Sequence, residues 1–492
     1  MRKSGILLPV ASLPSRYGIG CFSKEAYEFV DCLQEAGQSY WQILPLGPTG
    51  YGDSPYQSFS TFAGNPYFID PEDLIARGYL TKEACEAYDF GSDEEFIDYE
   101  KLYHNRFRLL RRAYENSNIG RDARFLKFVQ NNADWLEDYA LYMAIKESYG
   151  GLCWIAWEEE IRLRQPQAME EYRRRLAGEM EFYQFQQFMF YTQWKRLKEY
   201  ANEKGIKIIG DIPIYVAFDS SDAWANQELF QFDENCKPIA VAGCPPDAFS
   251  VTGQLWGNPL YRWDYHKQTG YAWWIKRMKN CFALYDVVRI DHFRGFDEYY
   301  AIPYGDPTAE NGAWEKGPGY DIFRVLKEKL GEKEIIAEDL GFLTESVIEL
   351  VKKCGYPGMK ILQFAFDSRE ESDYLPHNYT RNSVVYTGTH DNDTILGWYA
   401  FLEGADKRLC DRYLNLKKGK DTELAWDFIR AAMASVSYLA VIPMQDYLGL
   451  GSRARINIPS TSGNNWRWRM KRGAFTKELA VKIREITRLY GR

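Results

Sequence analysis

Histidine is scarce in this 492-residue chain. The five residues are His104, His266, His292, His377 and His390, and none sits at H-x-x-H or H-E-x-x-H spacing, so a histidine-built metal centre has no scaffold. The nine cysteines are scattered, odd in number and form no C-x-x-C. That excludes a zinc ribbon or a disulfide framework and leads us to expect a reduced, cytoplasmic setting. Basic excess is missing as well: 61 Lys and Arg stand against 69 Asp and Glu, a net charge of −8. Neither nucleic acid nor an anionic membrane is expected as a partner. No apolar run is long enough to span a bilayer, and the opening MRKSGILLPV reads as a first strand rather than a signal peptide. G-x-S-x-G, G-x-x-x-x-G-K-[ST] and G-x-G-x-x-G are all absent, which disfavours serine hydrolysis and phosphoryl transfer.

Rings are abundant instead. Fifteen Trp, 36 Tyr and 28 Phe make the chain 16% aromatic within an ordinary 46% hydrophobic content. Ring-rich packing is the commoner cause of such an excess. The other is a surface that stacks flat ligands, and the acidic balance makes sugars better candidates than bases.

Eight short apolar runs recur along the chain, at 5–10, 40–46, 206–216, 286–293, 334–341, 359–366, 383–393 and 438–451. Their continuous hydrophobicity suits strands buried on both faces. Helical spacing falls between several of them, at 25–37 (ending on Gly37), 273–285, 321–331 and 344–355 (opened by a Thr344 cap and ended by Gly355). This alternation predicts an α/β fold, a (β/α)₈ TIM barrel. Two stretches interrupt it. Residues 67–180 read as a helical insertion, leaving 1–66 and 181–492 as the barrel. Residues 218–270 lack periodicity and read as a long lid or loop subdomain.

Active sites in such barrels lie at the C-terminal ends of the strands, so polar residues there form one constellation. In DVVRIDHF, Arg289 and Asp291 are two apart and share a face. The pair is either a nucleophile kept ionised by its neighbour or a structural ion pair. In EIIAEDLG, one of Glu338 and Asp339 must face inwards, where partial desolvation would suit a general acid/base. In SVVYTGTHDNDT, His390 and Asp391 follow a glycine turn, with Asn392 and Asp393 beside them. Sugar-hydroxyl binding suits this cluster better than a metal. Two carboxyls flanking a bond, with a third nearby, is the arrangement of glycosidic chemistry, and a retaining enzyme keeps the working pair roughly 5–5.5 Å apart. Two Pro/Gly-rich aromatic loops would cover the site. Residues 47–67 carry Tyr51, Asp53, Tyr56 and Asn65; residues 242–261 carry Asp247, Gln254, Trp256 and Asn258. The second reads as a lid with rigid turns, and Tyr56, Trp256 and Trp466 are expected at the mouth as stacking rings.

Taken together, SLPSRYGIG (12–20), GYGDSPYQSFSTFAGNP (50–66), GDIPIYV (210–216), PPDAFSVTGQLWGNPLY (245–261), RIDHFRGF (289–296), AEDLG (337–341), GTHDNDT (388–394), QDYLGLGSRARINIP (445–459) and GNNWRWRM (463–470) run nearly end to end. In these motifs the chain resembles the 4-α-glucanotransferases, called amylomaltases or disproportionating enzymes, of glycoside hydrolase family 77 in the α-amylase clan. The resemblance implies Asp291 as nucleophile, Glu338 as acid/base and Asp391 as a third acid stabilising the transition state. It implies that Arg289 orients Asp291, and that His292 and His390 bind hydroxyls of the sugar being cleaved. Tyr56, Asp211, Gln254, Trp256 and Asn465 would line the glucan groove; the usual Gly-Asn-Trp ending has Asn464 in place of its glycine here. Its implied partners are α-1,4-glucans and maltooligosaccharides, with glucose or maltose as acceptor, and no metal or organic cofactor.

Overall fold

A computed structural model describes the chain except residues 1, 51, 247–249, 342, 417–422 and 462. Twelve strands are formed by the described residues: β1 (Lys3–Leu7), β2 (Tyr40–Gln42), β3 (Lys207–Pro213), β4 (Ala240–Cys244), β5 (Gln254–Pro259), β6 (Val287–Asp291), β7 (Glu298–Pro303), β8 (Ala313–Lys316), β9 (Ile335–Ala337), β10 (Gly358–Ile361), β11 (Ser383–Tyr386) and β12 (Leu439–Pro443). Eight of them pair in the order β10-β11-β12-β1-β2-β3-β6-β9, every pairing parallel. The seam between β9 and β10 is bridged by Ala337 N–H donating to the Pro357 carbonyl at 3.0 Å. This is the expected barrel, and its eight strands are the eight apolar runs in order.

Alternation along the strands divides the core. Leu7, Ile209, Val287, Ile336, Met359, Val384 and Leu439 point inwards and pack on one another. Ile6, Ile208, Val288, Ile290 and Ala440 point outwards into the larger layer beneath the helices. The inward set leads towards the site: after Val287 come Arg289 and Asp291 on the same face, and after Ile209 comes Asp211. The β3–β6 register places Asp211 directly beside Arg289.

The expected helices form at Lys24–Glu35, Ala272–Leu284, Tyr320–Leu330 and Glu345–Cys354. Gly355 takes the left-handed conformation that ends the last of them. Thr344 occupies its N-cap position, but its hydroxyl makes no capping bond; it pairs with Ser346 Oγ instead, at 3.0 Å.

Between β2 and β3 the chain is helical, with Tyr99–Ser117, Ala133–Ser148 and Ala177–Glu203 the longest elements. The last of these spans the expected boundary at 180/181, and its C-terminal part packs on the barrel. Trp194 Nε1 donates to the Leu284 carbonyl at 3.0 Å, and the Gln187 amide bonds both polar groups of the Gly64 backbone. One continuous helix thus joins the insertion to the barrel wall.

The stretch 218–270 departs from the expectation of a lid loop. It supplies β4 and β5, which pair antiparallel with β7 and β8 in a separate four-stranded sheet of order β5-β4-β7-β8. Trp256 therefore stands on a strand rather than on a turn. Periodicity fails here for physical reasons: a register shift between Val241 and Gly243 disturbs β4, and Gly257 has φ +77° within β5; β8, which completes the sheet further along the chain, is exposed throughout. Most rings in and just after this stretch are core. Tyr261, Trp273 and Trp274 are buried and contact one another in edge and tilted pairs. Among the described residues no helix is long and apolar enough to cross a membrane.

Candidate active site

The C-terminal ends of β3, β6, β9 and β11 converge, and Arg289 is the buried hub beneath them. Its Nη1 donates to both Asp211 oxygens at 2.7 Å and to Asp291 Oδ1 at 2.9 Å. Asp211 Oδ2 also accepts the Tyr56 hydroxyl at 2.8 Å. Arg289 is 3% exposed and Asp211 0%. Burial alone would lower the basicity of the guanidinium, but Asp211 and Asp291 together raise it well above the ordinary value. Its positive charge is permanent, and Asp291 faces it while keeping access to the open side.

The neighbouring strand end treats its carboxyl differently. Glu338 Oε2 accepts the His292 backbone N–H at 2.6 Å, and Oε1 accepts that of Leu340 at 2.9 Å. No cation bonds it. Burial and the nearby Asp291 charge push its pKa up from 4.5 to about 7, against the opposing pull of Arg289 and the two N–H groups. Of the adjacent acids, then, Glu338 faces the site. Asp339 turns to the next strand and accepts Met359 N–H at 2.7 Å.

His292 reaches Glu338 because its backbone is left-handed, at φ 52° and ψ 48°, a conformation costing a non-glycine residue about 1–2 kcal/mol. Its ring is pushed down to about 4 by burial and is neutral near pH 7. Among the described residues its buried Nε2 meets no hydrogen-bond partner.

At the end of β11, Asp391 is open, with a side chain 42% exposed. Asn457 Nδ2 donates to its Oδ1 at 2.6 Å, and His390 Nε2 lies 3.4 Å from Oδ2. The Tyr56 ring stacks on His390 with centroids 5.1 Å apart and planes at 17°. Trp466 packs against both rings.

These groups open into a cavity of about 620 Å³ whose walls include Tyr56, Gln254, Trp256, Asp291, His292 and Asp391. Trp256 stands edge-on to His292, with centroids 4.8 Å apart, and its Nε1 donates to Gln254 Oε1 at 3.1 Å. His390 and Trp466 also contribute to the wall. Among the described residues no cluster of three or more His, Cys, Asp or Glu could hold a metal ion.

Several expected residues sit elsewhere. Asp211 is sealed under Tyr56 and Arg289 rather than lining the groove. Asn465 is spent on its own loop: it accepts Ile458 N–H at 3.0 Å and donates to Thr461. Trp466 is only 9% exposed, so it buttresses Tyr56 and His390 more than it offers a free face. Asn65 is buried and caps the turn at Pro66–Phe68. Asp53 is held near 6 by burial. Tyr51 and Asp247 fall outside the described residues. Sequence reasoning passed over Asn457, which lay within a quoted motif, because no spacing rule singles out a lone asparagine.

A model of glycoside hydrolase family 77, described as 4-alpha-glucanotransferase, matches residues 8–476. The chain belongs to this family. It is 50% identical over 485 residues to a 4-alpha-glucanotransferase of Clostridium butyricum, covering 98% of this chain and 99% of that protein. It is 51% identical over 494 residues to one of Streptococcus pneumoniae, covering 100% and 97%. Among solved structures, an amylomaltase from Streptococcus agalactiae in complex with acarbose superposes with a TM-score of 0.97 at 42% identity, covering all of both chains. The family 77 assignment therefore rests on likeness over nearly the full length of the chain.

Proposed function

We propose that the chain is a 4-α-glucanotransferase that moves a segment of an α-1,4-glucan to the 4-hydroxyl of another glucan, maltose or glucose by retaining double displacement. The observation that carries this reading is the pair of carboxyls at adjacent strand ends, one bonded to a buried arginine and one pushed towards neutrality, facing a ring-lined cavity in a family 77 chain. Asp291 attacks the anomeric carbon as the C1–O4 bond breaks, and the Glu338 proton passes to the departing O4. Glu338, now a carboxylate, takes the proton from the acceptor 4-hydroxyl. That oxygen then attacks C1 and releases Asp291. His292, as a neutral ring with a free Nε2, and Asp391, held by Asn457, suit pairing with ring hydroxyls as positive charge develops on the sugar. No step calls for a cofactor.

Transfer rather than hydrolysis requires the acceptor sugar to be held better than water. We assign this to Trp256, whose ring lies beside His292 on the cavity wall. Trp256→Ala should raise the ratio of hydrolysis to transfer, measured as released reducing ends against chain-length redistribution; an unchanged ratio with a lower total rate would remove Trp256 from this role. The activity itself is tested with maltotriose: glucose plus longer maltooligosaccharides are expected, and smaller sugars alone would overturn the reading. We place the reaction in the cytoplasm, because the nine cysteines are scattered along the chain with no C-x-x-C, a usage that suits a reducing compartment. Recovery of the enzyme outside the cytosolic fraction would contradict that placement.

A further inference from the structure

Arg289 has one more contact, which the charge network does not explain. Its Nε–H points away from Asp211 and Asp291 into the apolar barrel interior and meets Met359 Sδ at 3.3 Å. Met359 is 2% exposed, on β10, among the inward-facing side chains of the other strands. Its place is fixed in turn. Its N–H is the one held by Asp339 at 2.7 Å, and that carboxylate fits only because residue 358 is glycine: a Cβ there would lie 2.1 Å from Asp339 Oδ2.

We propose that Met359 is a positioning residue for the attacking carboxylate, setting the plane of the Arg289 guanidinium through an N–H···S hydrogen bond. A thioether is a weak acceptor, and methionine commonly serves only to fill space in a core. Here, however, it is the acceptor met by a buried N–H, and its loss would leave the guanidinium plane held from the Nη1 side alone. With Nε held on one side and Nη1 on the other, the fork presents the same N–H to Asp291 in every turnover. The two adjacent acids thereby serve one reaction by different routes: Glu338 handles the proton, and Asp339 anchors the strand that aims Arg289.

The inference rests on Asp291 being the nucleophile, and the test separates the two. Full-length Met359→Leu keeps the volume and removes the acceptor; Met359→Gln restores an acceptor oxygen of similar reach. Turnover is measured on maltotriose and on α-glucosyl fluoride, whose leaving group needs no proton from Glu338. Met359→Leu should lower kcat about tenfold on both substrates, the size expected for one lost hydrogen bond in a buried network. The KM for maltotriose should stay unchanged, and Met359→Gln should regain most of the loss. Wild-type kcat in Met359→Leu, or a loss confined to maltotriose, would overturn the inference, as would a folded Met359→Gln no better than the leucine variant. Asp291→Asn is run alongside. If it is inert while Met359→Leu turns over normally, the positioning role alone falls; if it retains wild-type turnover, the nucleophile assignment falls and takes the positioning role with it.

Discussion

The ends of β6 and β9 are neighbours in one sheet and each presents a carboxyl to the same cavity, yet their surroundings are opposed. Asp291 has a buried guanidinium at 2.9 Å. Glu338 has no bonded cation among the described residues, two backbone N–H groups and enough burial to hold it near 7. Chemically similar groups are given different work by what lies beside them. The difference originates in register: pairing β3 with β6 sets Asp211 against Arg289, so the arginine is committed to the β3–β6 side and Glu338 is left without a counter-ion.

The largest test of that contrast exchanges each acid for its amide. Asp291→Asn should lose at least about 10⁴-fold in kcat on any glucosyl donor, because no nucleophile remains. Glu338→Gln should lose about 10³-fold on maltotriose but far less in the first step with α-glucosyl fluoride. Equal rescue of both variants by the fluoride would erase the distinction between the two strand ends.

Removing the hub should break the β6 end alone. Arg289→Leu leaves Asp211 buried without its partner, at a cost of about 3–5 kcal/mol in urea unfolding, with activity lost even where the protein still folds. A variant as stable as wild type would show that the Arg289–Asp211 pair is dispensable to the fold.

The β9 end is probed by pH. Glu338 must carry a proton to act as acid, so kcat/KM should fall tenfold per unit above about pH 7. Stability should follow the same group with the opposite benefit. Its folded pKa lies above the unfolded value of 4.5, so the folded state holds the extra proton; stability declines as pH rises from about 4.5 to about 7 and is level beyond. Because the carboxyl keeps some exposure, about 2 kcal/mol is expected. Glu338→Gln should therefore melt higher than wild type at pH 8, with the gap closing near pH 4.5. A constant gap would mean the carboxyl is not strained in the fold.

The smallest effect concerns the outer edge of the β6 network. Tyr56→Phe removes the hydroxyl bonded to Asp211 at 2.8 Å while keeping the ring on His390. A three- to tenfold loss in kcat is expected, about the worth of one hydrogen bond, and an unchanged kcat would confine Tyr56 to stacking.

The same contrast explains what the sequence disclosed. The eight barrel strands are buried on both faces, so their hydrophobicity is continuous and visible, and the polar residues that end them stand out. Arg289 and Asp291 were legible because two residues on a strand share a face, and a choice between Glu338 and Asp339 was legible for the same reason. Which of the two faces in depends on the neighbouring strand: Gly358 leaves room for Asp339, and only the fold reveals it. The antiparallel sheet was hidden because β8 is exposed throughout and β4 carries a register shift, which together erase the alternation that marks a strand. Ring content misled in proportion. Trp273 and Trp274 pack the core, as expected, and Trp466 proves nearly as buried, while Tyr56 and Trp256 do face the cavity.

The central claim is that Asp291 attacks and Glu338 moves the proton. Glu338→Gln incubated with α-maltotriosyl fluoride should complete the first step and stall at the second, lacking a base for the acceptor. Mass spectrometry of its peptic digest should then find one maltotriosyl unit on the peptide containing Asp291. A sugar ester on any other acid, or complete turnover with no ester at all, would contradict the account.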